Sequence, residues 1–252
     1  MNDQKTMAYI NMYAVLGALE NLCELVPEAG EALTNKKPIS IGFDVKGGPK
    51  ATLTFANGLC RMEQGCGKCD VKLPFSSCEK FNGLIDGTVT PIPTKGFTHI
   101  GFLLKDFTAL TDLLNKYMRP SEEDLKDPEF FKVNTALTLY VVGVAIAQVG
   151  NNDEIGKFSA DHIPDGSVMM GIKDGPAVEV SIKNHRLLCY KKAPSTYRSS
   201  MVFDSYETAN ALFNGTVNAL ACIGTGKIEM HGQINMIDNV NRILDRVSLY
   251  LA

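Results

Sequence analysis

Two short phrases, "LIDGTV" at 84–89 and "LFNGTV" at 212–217, stand 128 positions apart in a chain of 252 residues. A chain that repeats itself must bury the same hydrophobic pattern twice, and this constrains its fold more than any other feature. The match extends outward in both directions. "GPKATLTFAN" (48–57) faces "GPAVEVSIKN" (175–184), each a Gly-Pro turn followed by strand-like alternation. Ala51, Leu53 and Phe55 share one face, and Val178, Val180 and Ile182 share the equivalent one. "GLC" (58–60) then faces "LLC" (187–189), and Phe75 faces Phe203.

Each copy continues with a short helix. "SSCE" (76–79) and "DSYE" (204–207) read as capping boxes, with Ser76 or Asp204 as the cap and Glu79 or Glu207 reaching back. The helices should stop at Asp86-Gly87 and Asn214-Gly215, where glycine supplies a left-handed residue at little cost. A strand is expected next, "GFTHIGF" (96–102) against "GKIEMHG" (226–232). Last comes an amphipathic helix. Phe107, Leu110, Leu113, Leu114 and Tyr117 face Ile237, Val240, Ile243, Leu244 and Val247 in register, at spacings that place one apolar stripe on a helix.

A helix also precedes each copy, at 9–26 and at 128–149. The polar segment "MRPSEEDLKDPE" (118–129) reads as a linker, with Pro128 opening the second helix. The expected fold is α+β: two tandem domains, 1–119 and 120–252, each a mainly antiparallel sheet covered by helices on one face. Within each, three or four strands should form a meander before the short helix.

Composition narrows the partners. The net charge is −3 and no long basic stripe occurs, so nucleic acid is excluded as a main partner. The amino terminus lacks the pattern of a signal peptide, and seven cysteines without an export signal read as reduced thiols, so a cytoplasmic location is expected. The apolar stretch 130–150 contains Lys132, Asn134 and Gln148, and its uninterrupted part, 137–147, is too short to span a bilayer. No integral membrane span is expected; a buried helix is.

The order of elements, with "VFDSYETANALFNGTVNALACIGTGKIEMHG" (202–232) as its best-matched stretch, resembles the sterol carrier protein 2 family. The first copy is similar but looser, with Gly96–Gly101 standing where the second has Gly226–His231. The resemblance covers about two-thirds of each half, and the motifs that carry it are structural. It implies a five-stranded sheet under helices, enclosing an apolar cavity that takes a lipid, fatty acyl chain or other hydrophobic ligand without a cofactor. Leu110, Leu114, Leu139, Val142, Ile146, Met230, Val240 and Leu244 are the residues expected to line it. Filling of an ordinary core is the competing role for each. Ten methionines, among them Met169, Met170, Met201 and Met230, suit a permissive apolar site.

No constellation for catalysis is visible, and no enzymatic activity is expected. His99, His162, His185 and His231 are scattered; His99 and His231 fall on the matching expected strands, one position apart. "GTGK" (224–227) lacks the spacing and the hydroxyl residue of a phosphate-binding loop. The cysteines carry the sharpest alternative. Cys60, Cys66, Cys69 and Cys78, with Cys66 and Cys69 as a C-x-x-C in an expected hairpin loop, are candidates for a metal or redox site, although their spacing matches no standard set. Three readings follow, in this order: a hydrophobic-ligand binder, a structural or interaction module with filled cavities, and a thiol-based metal or redox protein. Exposed strand edges also allow homodimer pairing.

Overall fold

The computed structural model describes residues 3–34 and 36–251. The chain divides into two compact units, Asp3–Lys126 and Asp127–Ala252, with the division inside the polar segment 118–129.

In the first unit α1 (Gln4–Ile10), a π-helical stretch (Asn11–Leu16) and α2 (Ala18–Leu25) precede α3 (Pro27–Thr34). Then come β1 (Ile39–Val45), β2 (Lys50–Ala56), β3 (Leu59–Gln64), β4 (Val71–Phe75) and α4 (Cys78–Ile85). A 3-10 turn (Phe97–His99), a π-helical stretch (Phe102–Phe107) and α5 (Thr108–Met118) close the unit, and a 3-10 turn (Asp124–Lys126) leads out of it. The second unit begins with α6 (Pro128–Asn152) and α7 (Glu154–Asp161). Its strands are β5 (Gly166–Ile172), β6 (Ala177–Lys183), β7 (Arg186–Tyr190) and β8 (Ser199–Phe203). After them come α8 (Tyr206–Phe213), α9 (Ala219–Gly224), β9 (Ile228–Gly232) and α10 (Ile234–Leu251).

The two sheets are built alike. The strand orders are β3-β2-β1-β4 and β7-β6-β5-β8-β9. In each, an antiparallel hairpin and a third strand are followed by a strand that crosses to the far side and pairs parallel with the first: Ile41 with Val71, and Val168 with Ser199. The expected continuous meander therefore stops at the third strand. Alternation selects the buried face. Ile39, Ile41, Phe43 and Val45 of β1 are buried with Ala51, Leu53 and Phe55 of β2, and Val178, Val180 and Ile182 are their counterparts on β6.

Both short helices end as the repeated phrases predict. Gly87 and Gly215 have φ of +71° and +66°, and Thr88 and Thr216 each send N–H and O–H back to one carbonyl, that of Gly83 or Ala211. Their start differs by one residue from the expected capping box. Ser77 and Ser205 are the caps, accepting from the amides of Lys80 and Thr208, so Glu79 and Glu207 lie in the first turn, where a negative charge meets the positive helix end. A buried asparagine holds each short helix to the helix in front. Asn11 donates to Asn82 at 3.1 Å, and Asn210 donates to Asn134 at 2.8 Å and to the Thr135 hydroxyl at 3.0 Å. This gives Asn134, buried near the start of a largely apolar helix, a partner. Pro128–Asn152 is the one helix among the described residues long and apolar enough to cross a membrane, and 72% of its apolar window is buried in the protein.

The strand expected at 96–102 is absent; residues 97–107 are helical there. The true counterpart of β9 is 92–96, "IPTKG" against "IEMHG", and it has shrunk to a single bridge between Lys72 and Lys95. Two residues, 90 and 91, lead to it, whereas the second unit has ten, 218–227, which include α9. Proline explains the loss. In the second unit Val202 faces Glu229; the same positions in the first hold Pro74 and Pro93. Neither can donate, so the ladder has no bond to make one step beyond the Lys72–Lys95 bridge. Glycine marks the shared register. Gly96 and Gly232 have φ of +88° and +100°, and a β-carbon on either would stand 2.4 Å from the Asp70 carbonyl oxygen or 2.1 Å from that of Arg198.

The units also differ in how the last helix is held. Asp153 caps α7 through the Gly156 amide and takes Arg246 at 2.8 Å and the Tyr250 hydroxyl at 2.7 Å, which binds α10 to the α6–α7 corner. Val26 occupies the corresponding corner of the first unit and can do none of this.

Two predictions follow from these anchors. Burial alone would raise the Asp153 carboxyl, but hydrogen bonds from Arg246, Tyr250 and Gly156 outweigh it and hold the group below its usual range. A carboxyl lowered by folding contributes stability above its unfolded pKa, and the contribution disappears as pH falls through the folded pKa. Urea titrations should therefore show the second unit losing stability in acid. Asp153→Asn should flatten that dependence and cost about 1–3 kcal/mol at neutral pH, because a neutral amide replaces the charged acceptor of three hydrogen bonds; an unchanged slope would refute the assignment. Gly232→Ala and Gly96→Ala should each destabilise their unit by at least about 1–3 kcal/mol in the same assay, from backbone strain alone.

Candidate functional site

The interior of the first unit is aromatic. Phe43 and Phe55 rise from the sheet, and Phe81 comes from α4. Phe102 and Phe107, at the two ends of the second π-helical stretch, approach the Phe55 ring at 5.5 and 6.0 Å. Phe107 also lies 6.3 Å from Phe43, Phe43 6.3 Å from Phe81, and Phe81 5.2 Å from Phe75. Such tilted and edge-on contacts contribute about 0.5–1.5 kcal/mol each beyond area burial.

The segment lying over these rings is irregular. Between the 3-10 turn and α5 the backbone widens into a π-turn, and the Thr108 hydroxyl donates to the Leu103 carbonyl five residues back. Phe97, Ile100 and Leu104 of this segment are exposed, Leu104 by 72%, while Phe102, Leu103 and Phe107 are half-buried. An outer tie is the exposed ion pair of Asp106 with Lys36 at 3.1 Å, which holds the segment weakly. In the second unit α10 is α-helical from Ile234 to Leu251 and buries Met236, Ile237, Val240, Ile243, Val247 and Tyr250. Turns of π-helix recur at functional sites because they displace side chains from the ordinary register.

The eight expected lining residues fall in both units. Leu110 and Leu114 are buried on α5, which packs on α2. Leu139, Val142 and Ile146 are buried on α6, which lies against β6 and β7, and Val240 is buried on α10 beside α6. Leu244 is half-buried, as is Met230, which pairs with Met201 across β8 and β9. The second-unit residues are thus gathered in one helix–sheet layer. Of the ring cluster, the apolar stripe of the last helix marks only Phe107. Phe43, Phe55 and Phe102 carried no signal beyond apolar alternation, because which faces meet is decided by topology.

On the opposite face of each sheet the chain forms an arch. The connection from the third strand to the fourth crosses the outer side of the sheet, covering a polar cleft of about 380 Å³ in the first unit and 470 Å³ in the second. Ser40, Thr52 and Thr54 line the first, and Ser167, Glu179 and Ser181 stand at the same positions in the second. Asp70 and Arg198 end the two arches at equivalent places, each sending its amide to the first strand's carbonyl at Ser40 or Ser167.

The four candidate cysteines are dispersed by this path. The loop that carries Cys66 and Cys69 is this arch and no hairpin, because β3 and β4 lie at opposite edges of the sheet. Cys60 is buried opposite Phe55 on β3, Cys66 and Cys69 lie on the outer face above Gly42, and Cys78 begins α4 beside Gly48. Among the described residues no group of three or more His, Cys, Asp or Glu is gathered to hold a metal ion. His99 lies in a 3-10 turn and His231 on β9, so they do not occupy matching strands.

Charge near the arch is concentrated on Asp44, which takes Lys50 and Lys72 at 2.8 Å each. The hydrogen bonds from Lys50 and then Lys72 hold its carboxyl at about 2. Burial raises the Cys66 thiol, and Asp44 raises it further. Burial pushes Cys23 up to about 11 and Cys189 up to about 12. Because Cys66 and Cys78 are half-buried while Cys23 and Cys60 are buried, a maleimide at neutral pH should label Cys66 and Cys78 of the native protein well before Cys23 or Cys60; peptide mapping that finds Cys23 or Cys60 labelled first would contradict the burial described.

No family model and no curated protein matches this chain. Solved structures do. The chain is similar to sterol carrier protein domain 2 of Helicoverpa armigera (12% identity, 44% of this chain and 88% of that one, TM-score 0.36). It is similar also to sterol carrier protein 2 from Yarrowia lipolytica in its apo form (20% identity, 44% and 92%, TM-score 0.34). A third is palmitated SCP2L2 from Aedes aegypti (16% identity, 46% and 94%, TM-score 0.31). The duplication itself is read from the strand orders and registers of this chain.

Proposed function

We propose that the protein binds a lipid, fatty acyl chain or comparable hydrophobic ligand, without cofactor or catalysis, in the aromatic interior of its first unit. The observation that carries the proposal is the irregular segment 97–107, a 3-10 turn followed by a π-helical stretch, with exposed Phe97, Ile100 and Leu104, that lies over that interior. Because Phe43, Phe55 and Phe81 are fully buried and well packed, a chain can be admitted only if this segment moves outward. Each CH₂ transferred from water contributes about 0.8 kcal/mol, so an acyl chain of moderate length can offset the lost ring contacts. Leu110 and Leu114 belong to the lining in this reading. Leu139, Val142, Ile146, Met230, Val240 and Leu244 would line the corresponding space of the second unit, where the Asp153 anchor makes opening harder.

Native mass spectrometry of gently purified protein should detect a bound apolar molecule, and a fluorescent fatty acid should be displaced by palmitate. Hydrogen exchange should change at 97–107 on adding palmitate and stay constant at 234–251. If no lipid is carried, no probe binds and exchange is unaltered, the proposal fails and a module with filled interiors replaces it.

A further inference from the structure

We propose that Cys66 and Cys69 form a redox dithiol that low-molecular-weight disulfides of the glutathione class oxidise to an intramolecular disulfide, fixing the arch over Gly42. The placement follows from the fold. The chain from β3 to β4 must cross the outer face of β2 and β1, and it carries "CGKC" directly above the middle of β1. Both β-carbons lie within 3.3 Å of the point where a β-carbon on Gly42 would stand, and the Cys69 sulfur lies 2.6 Å from it. The two side chains therefore share a space that exists only because residue 42 is glycine.

The fold does not require this arrangement. The second unit has the same arch, with "KKAPSTYR" in place of the thiols, and Met169 stands where the first has Gly42. Gly42, Cys66 and Cys69 thus occur together in one unit and are all missing from the other. Both cysteines are thiols in the structure; Cys66 is half-buried and Cys69 is 7% exposed beneath it. Asp44, held between Lys50 and Lys72, is the charged neighbour that, after burial, raises the Cys66 thiol.

Access sets the order of events. The more exposed Cys66 sulfur attacks glutathione disulfide, its S–H proton passing to the departing glutathione thiolate, and a mixed disulfide forms. Cys69 then attacks the Cys66 sulfur, the second glutathione leaves, and the Cys69 proton goes with it. Two electrons pass from the protein to the oxidant, and one disulfide is exchanged for another.

Trypsin offers a direct readout, because Lys68 separates the two cysteines. Cleavage after Arg61, Lys68 and Lys72 places Cys66 on peptide 62–68 and Cys69 on peptide 69–72. The whole protein is equilibrated without oxygen in graded glutathione and glutathione disulfide, quenched in acid and digested unreduced. The two peptides should appear as one linked species at oxidising ratios and separate at reducing ones. Cys66→Ser should abolish the linked species. Gly42→Ala should require about tenfold more oxidising conditions for half-conversion, since the added β-carbon takes the space in which the two side chains would meet. Glutathione adducts on the separate peptides, or unmodified peptides while Cys78 carries glutathione, would overturn the proposal, and so would an unchanged midpoint in Gly42→Ala.

Discussion

The parallel pairing of the fourth strand with the first is the constraint on which the rest of each unit depends. An antiparallel neighbour could have followed the third strand through a tight turn. Pairing Val71 with Ile41, and Ser199 with Val168, instead sends the chain over two strands, three strand spacings or about 14 Å in the hydrogen-bonding direction. That crossing creates the arch and its cleft. It also delivers the chain to the other edge, where the short helix must fold over the sheet and return. The helix-ending glycines at 87 and 215 serve that return. What looks from the sequence like a repeated phrase is the point at which both units reverse direction.

The interior of each unit is pinned by a polar group rather than by apolar packing alone. Asn82 and Asn210 sit at the same place, and each meets an asparagine of the front helix. A buried amide that satisfies another amide costs little, but it tolerates few alternative alignments, since any shift leaves a donor or acceptor without a partner. These bridges fix how the short helix sits on the front helix in both units. The Asp153–Arg246–Tyr250 cluster adds a second pin in one unit only. The unit that has this pin is the one whose last helix is regular from Ile234 to Leu251, and the unit that lacks it is the one with the irregular segment 97–107. With Val26 at the corner and two prolines across the missing fifth strand, the first unit has less to hold its last helical segment.

The duplication, the helix stops, the buried helix 128–152 and the α+β class were legible because they depend on local chemistry: glycine at positive φ, proline at a helix start, and alternation or a stripe in the apolar residues. The error at 96–102 came from the same kind of reasoning. "GFTHIGF" and "GKIEMHG" both begin with glycine, and aligning them on it hid the ten-residue connection that contains α9. The informative glycine was the last one. Gly232 is needed because a carbonyl oxygen closes on its α-carbon, and Gly96 meets the equivalent carbonyl. A close approach between distant segments leaves no periodic trace. The aromatic cluster and the position of the C-x-x-C were hidden for the same reason, since both are made by strands that cross.

Comparison of the two units separates architecture from what has been added to it. Positions that turn the chain or pin its helices are kept in both: Gly87 and Gly215, Ser77 and Ser205, Asn82 and Asn210, Gly96 and Gly232. Positions on the arch and on the last helical segment are not. A fold needs the first set to close its backbone, and either unit shows that it closes equally well with thiols or with "KKAPSTYR" on the outer face. The same holds for Gly42. A glycine in the middle of a strand gives up side-chain packing and costs conformational entropy, and Met169 demonstrates that the strand accommodates a large side chain there. Its presence in the first unit has to be explained by what lies above it, which is the Cys69 sulfur and the β-carbons of both cysteines.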